Sequence, residues 1–339
     1  MLPDDATPTL IEDVYRRGLS VLGSQIPYRW IAKASVQKLA SITPDPDLWN
    51  HRMQSFFGRD VLSATDVINR AEMMARHLGA ISHAGIRHGR EGFERPLTFV
   101  EVGTGWHPVV PILLFLLGAD SVVSVDHVDH SSDEKLIETI ELIGRCLADG
   151  SLPAVLPAMS DDRLEAFEEL RQSAGRRAAS EVMATLRLES KVSDIRELHI
   201  DRPIDVVVSN HVFEHIPADM LPSILTACWE LCAPSGVMSH TIDLIDHGHY
   251  VDPRLSQFNY LRFSPRQWKL VGNDIQHENR LRRPDYYAAY SAAGVPIDWE
   301  DHLRADFEHL ARVPLAREYW DMDPNELLIH FVHFMSCSR

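Results

Sequence analysis

Cysteine is scarce in this sequence, and the few cysteines form no metal-binding or redox pattern. The 339 residues include only four of them: Cys146, Cys228, Cys232 and Cys337. None belongs to a Cys-x-x-Cys pair, and the spacing of Cys228 and Cys232 places both on one face of a predicted helix, where packing is the usual role. The sequence therefore predicts neither a disulfide framework nor a zinc finger.

Long apolar runs and an excess of positive charge are also missing. No apolar run reaches the roughly 18 residues that a transmembrane helix needs, and the opening segment MLPDDATPTL has neither the basic nor the apolar part of a signal peptide. With 33 Lys and Arg against 49 Asp and Glu, the net charge is −16, which argues against nucleic acid or an anionic membrane as a partner. We therefore expect a cytoplasmic protein that acts on a small-molecule substrate.

No Gly-x-x-x-x-Gly-Lys phosphate loop is present, but one glycine turn stands out in the stretch LTFVEVGTGWHP at residues 97–108. The β-forming residues around Glu101 predict a buried strand, and Gly103 and Gly105 predict a sharp turn that a ligand can approach closely. A helix-capable stretch follows at 109–117. A strand, a glycine turn and a helix N-terminus together are typical of a site for a nucleotide-like ligand.

The residues around this turn favour a cationic ligand over a dinucleotide. A dinucleotide fingerprint needs a third glycine, but Trp106, His107 and Pro108 follow Gly105 instead. The carboxylate of Glu101 would also repel a pyrophosphate, whereas it suits S-adenosylmethionine (SAM), which carries an ammonium and a sulfonium and no phosphate. The turn therefore indicates SAM as the cofactor.

A second acid supports this interpretation. The apolar run SVVSV at 121–125 predicts a second strand that ends at Asp126, about 20 residues after the glycine turn, where an acid can bind a ribose diol. A helix cap or a solvated turn is the alternative role for Asp126. Glu101 and Asp126 in this order resemble the class I SAM-dependent methyltransferases. The resemblance covers roughly residues 97–244 and departs at His107, where that family usually has a third glycine.

The resemblance implies an α/β fold of the Rossmann-like, doubly wound kind with a seven-stranded sheet. The SAM-binding catalytic domain would span residues 96–339 and carry a helical insertion at about 131–186. Within this insertion, the charged sequence from Asp161 to about Leu186 predicts one long helix. Residues 1–95 predict a helical region in front of it, with helices that begin near Thr9, Trp30 and Ser63. This region either packs against the core or forms a lid that excludes water from the reacting centre.

The resemblance also implies how SAM is held. Glu101 would bind the methionine ammonium, Asp126 the ribose and Asp194 the edge of the adenine. Ser209 and Asn210 would line the methionine end. The full set of predicted cofactor-binding residues is Glu101, Gly103, Thr104, Gly105, Asp126, His127, Ser193, Asp194, Ser209 and Asn210.

The run IDVVVS at 204–209 predicts a fourth strand, and NHVFEHIP follows it. This block resembles the fourth strand and the following segment of the same family. Because ligands lie at the carboxyl ends of the strands in such sheets, Asn210, His211 and His215 are predicted to carry the chemistry. Methyl transfer to a hydroxyl needs a general base with a pKa near neutrality, which favours His215.

The predicted fifth strand, at 237–244, leads into an unusual group of polar residues: His240, Asp243, Asp246, His247, His249 and Tyr250. Asp243, His247 and Tyr250 are predicted to bind substrate. A divalent metal is the alternative, since histidine and carboxylates suit several such ions. A shared ion would require the strand to bend here, and we expect no metal. Two further strands are predicted at 295–299 and 327–335 as an antiparallel pair.

Together, these features predict the SAM-dependent transfer of a methyl group to a small-molecule acceptor, with oxygen the favoured atom. The segment at 253–294 resembles a bacterial subgroup of which some members are linked to saccharide or natural-product biosynthesis. One alternative is an enzyme of the azetidine-2-carboxylate synthase type, in which the amino nitrogen of SAM attacks its own γ-carbon and methylthioadenosine leaves. Another is a non-catalytic SAM-fold subunit that binds a partner. A homodimer is compatible with each.

Overall fold

A computed structural model describes residues 61–338 apart from residues 90, 131, 157 and 273–276. The helices predicted near Thr9 and Trp30, and with them most of the region 1–95, lie outside the described residues. The division of the chain into a helical region and a catalytic domain stays a prediction.

A seven-stranded sheet forms the centre of the molecule. Its strands are β1 (Thr98–Val102), β2 (Ser121–Asp126), β3 (Leu188–Val192), β4 (Ile204–Asn210), β5 (Cys232–Asp243), β6 (Trp299–Arg304) and β7 (Ile329–Cys337). Across the sheet they run in the order β3-β2-β1-β4-β5-β7-β6, so β3 and β6 are the edges. Strands β1 to β5 pair in parallel, while β7 is antiparallel to both of its neighbours. The predicted α/β fold, Rossmann-like with seven strands, is confirmed.

Helices cover both faces of the sheet. One face carries α1 (Ala64–His83), α2 (Val109–Leu116), α3 (Asp133–Ala148), α4 (Ser151–Val155), α5 (Asp161–Ser173) and α6 (Ala179–Thr185), and the other carries α7 (Leu221–Leu231) and α10 (Arg283–Ala292). The remaining helices of the C-terminal half are α8 (His247–Val251), α9 (Pro265–Val271), α11 (Phe307–Ala311) and α12 (Pro324–Leu327). Strand residues alternate between the two cores, as Val206 and Val208 face the first and Val207 faces the second.

Helix α1 begins where the sequence predicts. Ser63 and Asp66 form a capping box that satisfies the first amides of the helix. Val67, Ala71 and Met74 of its apolar stripe are fully buried in the first core, and Ile68, Ala75 and Leu78 are partly buried against it. This helix therefore packs as part of the core. The lid predicted for region 1–95 stays a prediction.

The insertion between β2 and β3 is helical, but its second half differs from expectation. Ser132 caps α3 through the amide of Lys135. The single helix predicted from Asp161 to about Leu186 is wrong, because α5 and α6 are separated by a turn at 174–178 that contains Gly175, a residue unfavourable inside a helix. Helix α5 buries Phe167, so its charged sequence still contributes to the core.

The last two strands are displaced along the chain from their predicted positions. Strand β6 begins at Trp299, where the prediction ended, and β7 runs to Cys337. Pro296 lies in the predicted β6 range and has no amide hydrogen to donate to a strand ladder. No helix in the described ranges is both long and apolar enough to cross a membrane.

Candidate functional site

Most of the predicted site residues lie at the carboxyl ends of β1, β2, β4 and β5, which meet on one side of the sheet where the strands end. Two groups form there. We call the first the glycine-turn half, which consists of Glu101, Gly103, Thr104, Gly105 and Asp126. We call the second the histidine half, which consists of His211, Glu214, His215, Asp243 and His247.

Glu101 is a carboxyl group inside the protein. Its side chain accepts hydrogen bonds from the hydroxyls of Thr104 (2.9 Å) and Ser124 (3.1 Å), and the residue is only 1% exposed. Burial raises the pKa of Glu101 to about 7, although those hydrogen bonds and the positive charge of Arg70 oppose the shift. Ionisation of Glu101 therefore costs free energy unless a further cation binds beside it.

The two glycines of the turn have different surroundings. Both adopt a left-handed backbone, with φ of +80° at Gly103 and +68° at Gly105. A Cβ on Gly103 would lie 2.4 Å from Cγ2 of Val212, whereas a Cβ on Gly105 would meet nothing within 4 Å. Gly103 thus allows the close approach of the two halves, and Gly105 leaves open space at the turn.

Asp126 closes the other side of the turn. Its carboxylate accepts the amides of Gly105 (3.0 Å) and Val128 (3.3 Å). Burial would raise the pKa of Asp126, but the hydrogen bonds from His127 and these amides outweigh it and hold the pKa below its usual range. Asp126 is therefore ionised near neutral pH and can accept hydrogen bonds from hydroxyl groups.

A cavity of about 170 Å³ opens beside Asp126. Its walls include Gly105 and Trp106 from the turn and Val192 from the end of β3. Ala179 and Met183 of α6 line it as well, so the helical insertion contributes to this pocket.

The loop residues predicted around the adenine are less clearly placed for that role. The His127 side chain is 82% exposed beside Asp126. Asp194 caps the short turn that follows β3 by accepting the amide of Arg196 (2.9 Å), and its carboxylate pairs with the Arg196 guanidinium. Ser193 donates its amide to the Asp126 carbonyl and its hydroxyl to the Asp194 carbonyl. The Asp194 carboxylate is thus already partnered.

Ser209 and Asn210 point to opposite faces of the sheet. The Ser209 hydroxyl is fully buried and bonds to Nδ1 of His240 (2.8 Å) in the second core, away from the glycine turn. Asn210 faces α1, where its Oδ1 bonds to Nε2 of His77 (3.1 Å), and its Nδ2 has no partner among the described residues. Only the Asn210 side chain faces the same side of the sheet as Glu101.

The histidine half is crowded and buried. His211 has a left-handed φ of +56°, a strained conformation that is uncommon outside glycine and is often found at functional sites. Burial raises the pKa of Glu214 well above its usual range, and the negative charge of Asp243 adds to the shift while nearby backbone amides partly oppose it. Neither Glu214 oxygen makes a hydrogen bond within the described part of the chain.

His215 and Asp243 each have a fixed orientation. Nδ1 of His215 lies 2.7 Å from the His277 carbonyl, so it carries the proton and donates it, and Nε2 is left as an acceptor. Burial and the nearby His247 lower the pKa of His215 to about 4. The expected pKa near neutrality is therefore wrong, and His215 is a weaker base than the sequence predicts. Asp243 accepts the hydroxyl of Tyr250 (2.7 Å) and lies 3.6 Å from Nε2 of His247.

The structure separates several of the residues that the sequence offers as possible metal ligands. The His240 ring is fully buried in the second core. Asp246 caps α8 and accepts from Asn259, and His249 bonds to the Leu255 carbonyl. Asp243 and His247 instead meet Glu214 and His215 from the segment after β4.

Three contributors have little or no signal in the sequence. His77 falls within the apolar stripe of α1, and Arg70 lies on the same helix near Glu101 and His211. Glu278 is partly buried next to Asp246, and its carboxylate accepts the amide of His247. The position of His77 inside an apolar stripe is a sequence signal that could have identified it as part of the site. No local sequence pattern identifies Glu278.

No family model matches the sequence, and no curated protein matches it. Solved structures resemble the chain at the level of fold. A 1,6-didemethyltoxoflavin-N1-methyltransferase from Burkholderia thailandensis is 13% identical, with 93% of this chain and 92% of that chain covered and a TM-score of 0.43. Magnesium protoporphyrin IX methyltransferase from Synechocystis is 10% identical, with 80% of this chain and 83% of that chain covered and a TM-score of 0.40. A geranyl diphosphate methyltransferase is 13% identical, with 89% of this chain and 94% of that chain covered and a TM-score of 0.41.

Proposed function

We propose that this protein is a SAM-dependent methyltransferase that acts on a small molecule, with oxygen as the favoured acceptor atom. The observation that carries the proposal is Glu101. It is a buried carboxyl group at the end of the first parallel strand, beside a glycine turn with open space. An ammonium group at this position would stabilise the ionised form that burial otherwise disfavours.

The rest of the glycine-turn half fits the same cofactor. Asp126 is ionised next to a cavity and can accept the two hydroxyls of a ribose. The turn offers no phosphate-binding glycine loop, which agrees with a cofactor that carries positive charge and no phosphate. SAM supplies an activated methyl group, so the protein has only to orient the acceptor and to remove its proton.

We assign the acceptance of that proton to two imidazoles of the histidine half. His215 presents Nε2 with its lone pair free, because Nδ1 is committed to the His277 carbonyl. His211 lies at the end of β4, next to the Val212 side chain that contacts the glycine turn. Asn210 can position an acceptor through its unpartnered Nδ2. Asp243 and Tyr250 lie together at the outer side of this group and are suited to binding substrate.

Calorimetric titration with SAM tests the proposal. The wild type should bind, and Glu101→Gln should weaken binding by about 10- to 100-fold, since a hydrogen bond to a charged group contributes about 1.5–3 kcal/mol. Asp205→Asn is a matched control, because Asp205 begins β4 at the opposite end of the sheet, where it accepts the Thr98 amide. Absence of SAM binding by the wild type would overturn the proposal and favour a non-catalytic subunit.

Mass spectrometry of the protein incubated with SAM alone distinguishes the type of reaction. A methyltransferase should leave SAM intact without an acceptor and form S-adenosylhomocysteine when a suitable acceptor is added. Turnover of SAM alone to methylthioadenosine and a four-membered-ring amino acid would overturn methyl transfer and establish the intramolecular reaction.

A further inference from the structure

Glu214 is a buried carboxyl group without a hydrogen-bond partner among the described residues. It is 2% exposed, and both of its oxygens are unsatisfied. A buried polar atom without a partner costs about 1–3 kcal/mol, and more when it is charged. Such a group is retained where something absent from the protein chain completes it.

Nitrogen and oxygen atoms surround this carboxyl group. One ligand atom each from Glu214, His215 and His247 lie within 4.8 Å of one another, and the same holds for His211, Glu214 and Asp243. Glu214 belongs to both groups. Two ligands of one ion, each about 2.0–2.2 Å from it, are at most about 4.4 Å apart, so this spacing is close to that of a metal site.

His215 already has the orientation of a metal ligand. Its Nδ1 donates to the His277 carbonyl at 2.7 Å, which leaves the Nε2 lone pair for a cation. Metal-bound histidines in proteins almost always donate the other ring N–H to a carbonyl or carboxylate, which fixes the ring. This contact comes from a different part of the chain and is independent of the unsatisfied Glu214.

Carboxyl groups are also concentrated in this region. Asp246 is buried and Glu278 is partly buried beside Glu214 and Asp243, which puts four carboxyl groups in one region. Within the described ranges, no Lys or Arg forms an ion pair with any of the four, and Asp243 lies 3.6 Å from Nε2 of His247. A bound cation would stabilise the ionised form of these carboxyl groups.

We propose that Glu214, His215 and His247 bind a divalent transition-metal ion, with Asp243 beside it as a further ligand or as a hydrogen-bond partner of a bound water. Two imidazoles and a carboxylate suit manganese, iron, cobalt or zinc better than magnesium or calcium, which prefer oxygen alone. His215 and His247 are partly exposed to solvent, so an ion can reach them. The metal takes the Nε2 of His215, so His211 is then the base of the proposed function.

Titration of the full chain with Mn²⁺, after EDTA treatment and removal of any affinity tag, tests the site. Mn²⁺ binding should be saturable, with one tight site, and should be followed by electron paramagnetic resonance. Glu214→Gln and His247→Ala should each weaken it by more than about tenfold, since loss of even an indirect partner costs about 10- to 100-fold. His249→Ala is the matched control, because His249 lies two residues from His247 and bonds to the Leu255 carbonyl instead.

Thermal unfolding without metal separates binding from folding. Glu214→Gln removes an unsatisfied carboxyl group and should not lower the melting temperature, so loss of Mn²⁺ binding by this variant cannot be ascribed to misfolding. Coupling of the bound Mn²⁺ to imidazole nitrogen should appear in pulsed spectra of the wild type and decrease in His247→Ala. No SAM is present, so this result and that of the proposed function are independent. Absence of a tight Mn²⁺, Co²⁺ or Zn²⁺ site, or equal binding by Glu214→Gln, would overturn the metal site.

Discussion

The two halves of the candidate site treat their buried carboxyl groups differently. In the glycine-turn half, Glu101 accepts two hydroxyls and Asp126 accepts two backbone amides before any ligand arrives. In the histidine half, Glu214 has no hydrogen-bond partner among the described residues. The first half is therefore organised by the protein chain alone. The second leaves the Glu214 carboxyl group without a hydrogen bond, although Asp243 accepts one from Tyr250.

The largest expected effect is at the contact that joins the halves. Gly103→Ala forces a side chain into a left-handed backbone, which costs about 1–2 kcal/mol, and overlap with Val212 adds about 1–3 kcal/mol. Gly105→Ala has the cost of the left-handed backbone but no steric overlap, because the space around Gly105 is open. Urea unfolding should therefore show a clearly larger loss of stability for Gly103→Ala. Equal losses would mean that the Val212 side chain simply moves aside and the halves are not rigidly joined.

The next effect is a pH-dependent gain of stability. The pKa of Glu101 is about 7 in the folded protein against 4.5 for the exposed group, so the folded state binds its proton more tightly. The free energy of unfolding of the wild-type protein should then fall as pH rises from about 5 through 7. Glu101→Gln removes this loss and should be more stable than the wild type by up to about 3 kcal/mol above pH 7.

The difference between Glu101→Gln and wild type should vanish only below about pH 4.5, where the Glu101 carboxyl group is protonated in both the folded and the unfolded state. Urea titrations at several pH values measure it. A difference that does not change with pH would show that the carboxyl group is not a buried titrating group, and the contrast with Asp126 would disappear.

The affinity for SAM should depend on the same proton. Only the ionised carboxylate of Glu101 attracts an ammonium, so affinity should rise about tenfold between pH 5.5 and pH 7. Calorimetry across this range provides the measurement, and Glu101→Gln is its control because it has nothing to ionise. A wild-type affinity independent of pH would place the ammonium elsewhere.

The smallest effects distinguish the two acids of the nucleoside end. Asp126→Asn should weaken SAM binding about tenfold, since it removes a charged acceptor. Asp194→Asn should change it by less than about threefold, because Arg196 already partners that carboxylate and exposed ion pairs contribute little. A large effect of Asp194→Asn would restore its predicted place at the adenine.

The glycine-turn half could be predicted from the sequence because it is local. Glu101, Gly103 and Gly105 are within five residues, and Asp126 ends the strand that pairs with β1. The rule that ligands bind at the carboxyl ends of parallel strands then places them together.

The histidine half could be predicted only in part. Strand alternation sends Ser209 and His240 to one face and Asn210 and Asp243 to the other. Both faces of a parallel strand are apolar, so the sequence does not show which polar residues share a face. The approach of Glu278 depends on tertiary packing that no local pattern encodes.

The two edges of the sheet bear on self-association. Edge strand β3 carries Glu189 and Lys191, which pair with each other at 2.8 Å, and edge strand β6 carries Glu300 and Asp301. Charged side chains on edge strands oppose the addition of a strand from another molecule. A homodimer of this chain would therefore be joined through helices or loops, and its two sheets would stay separate.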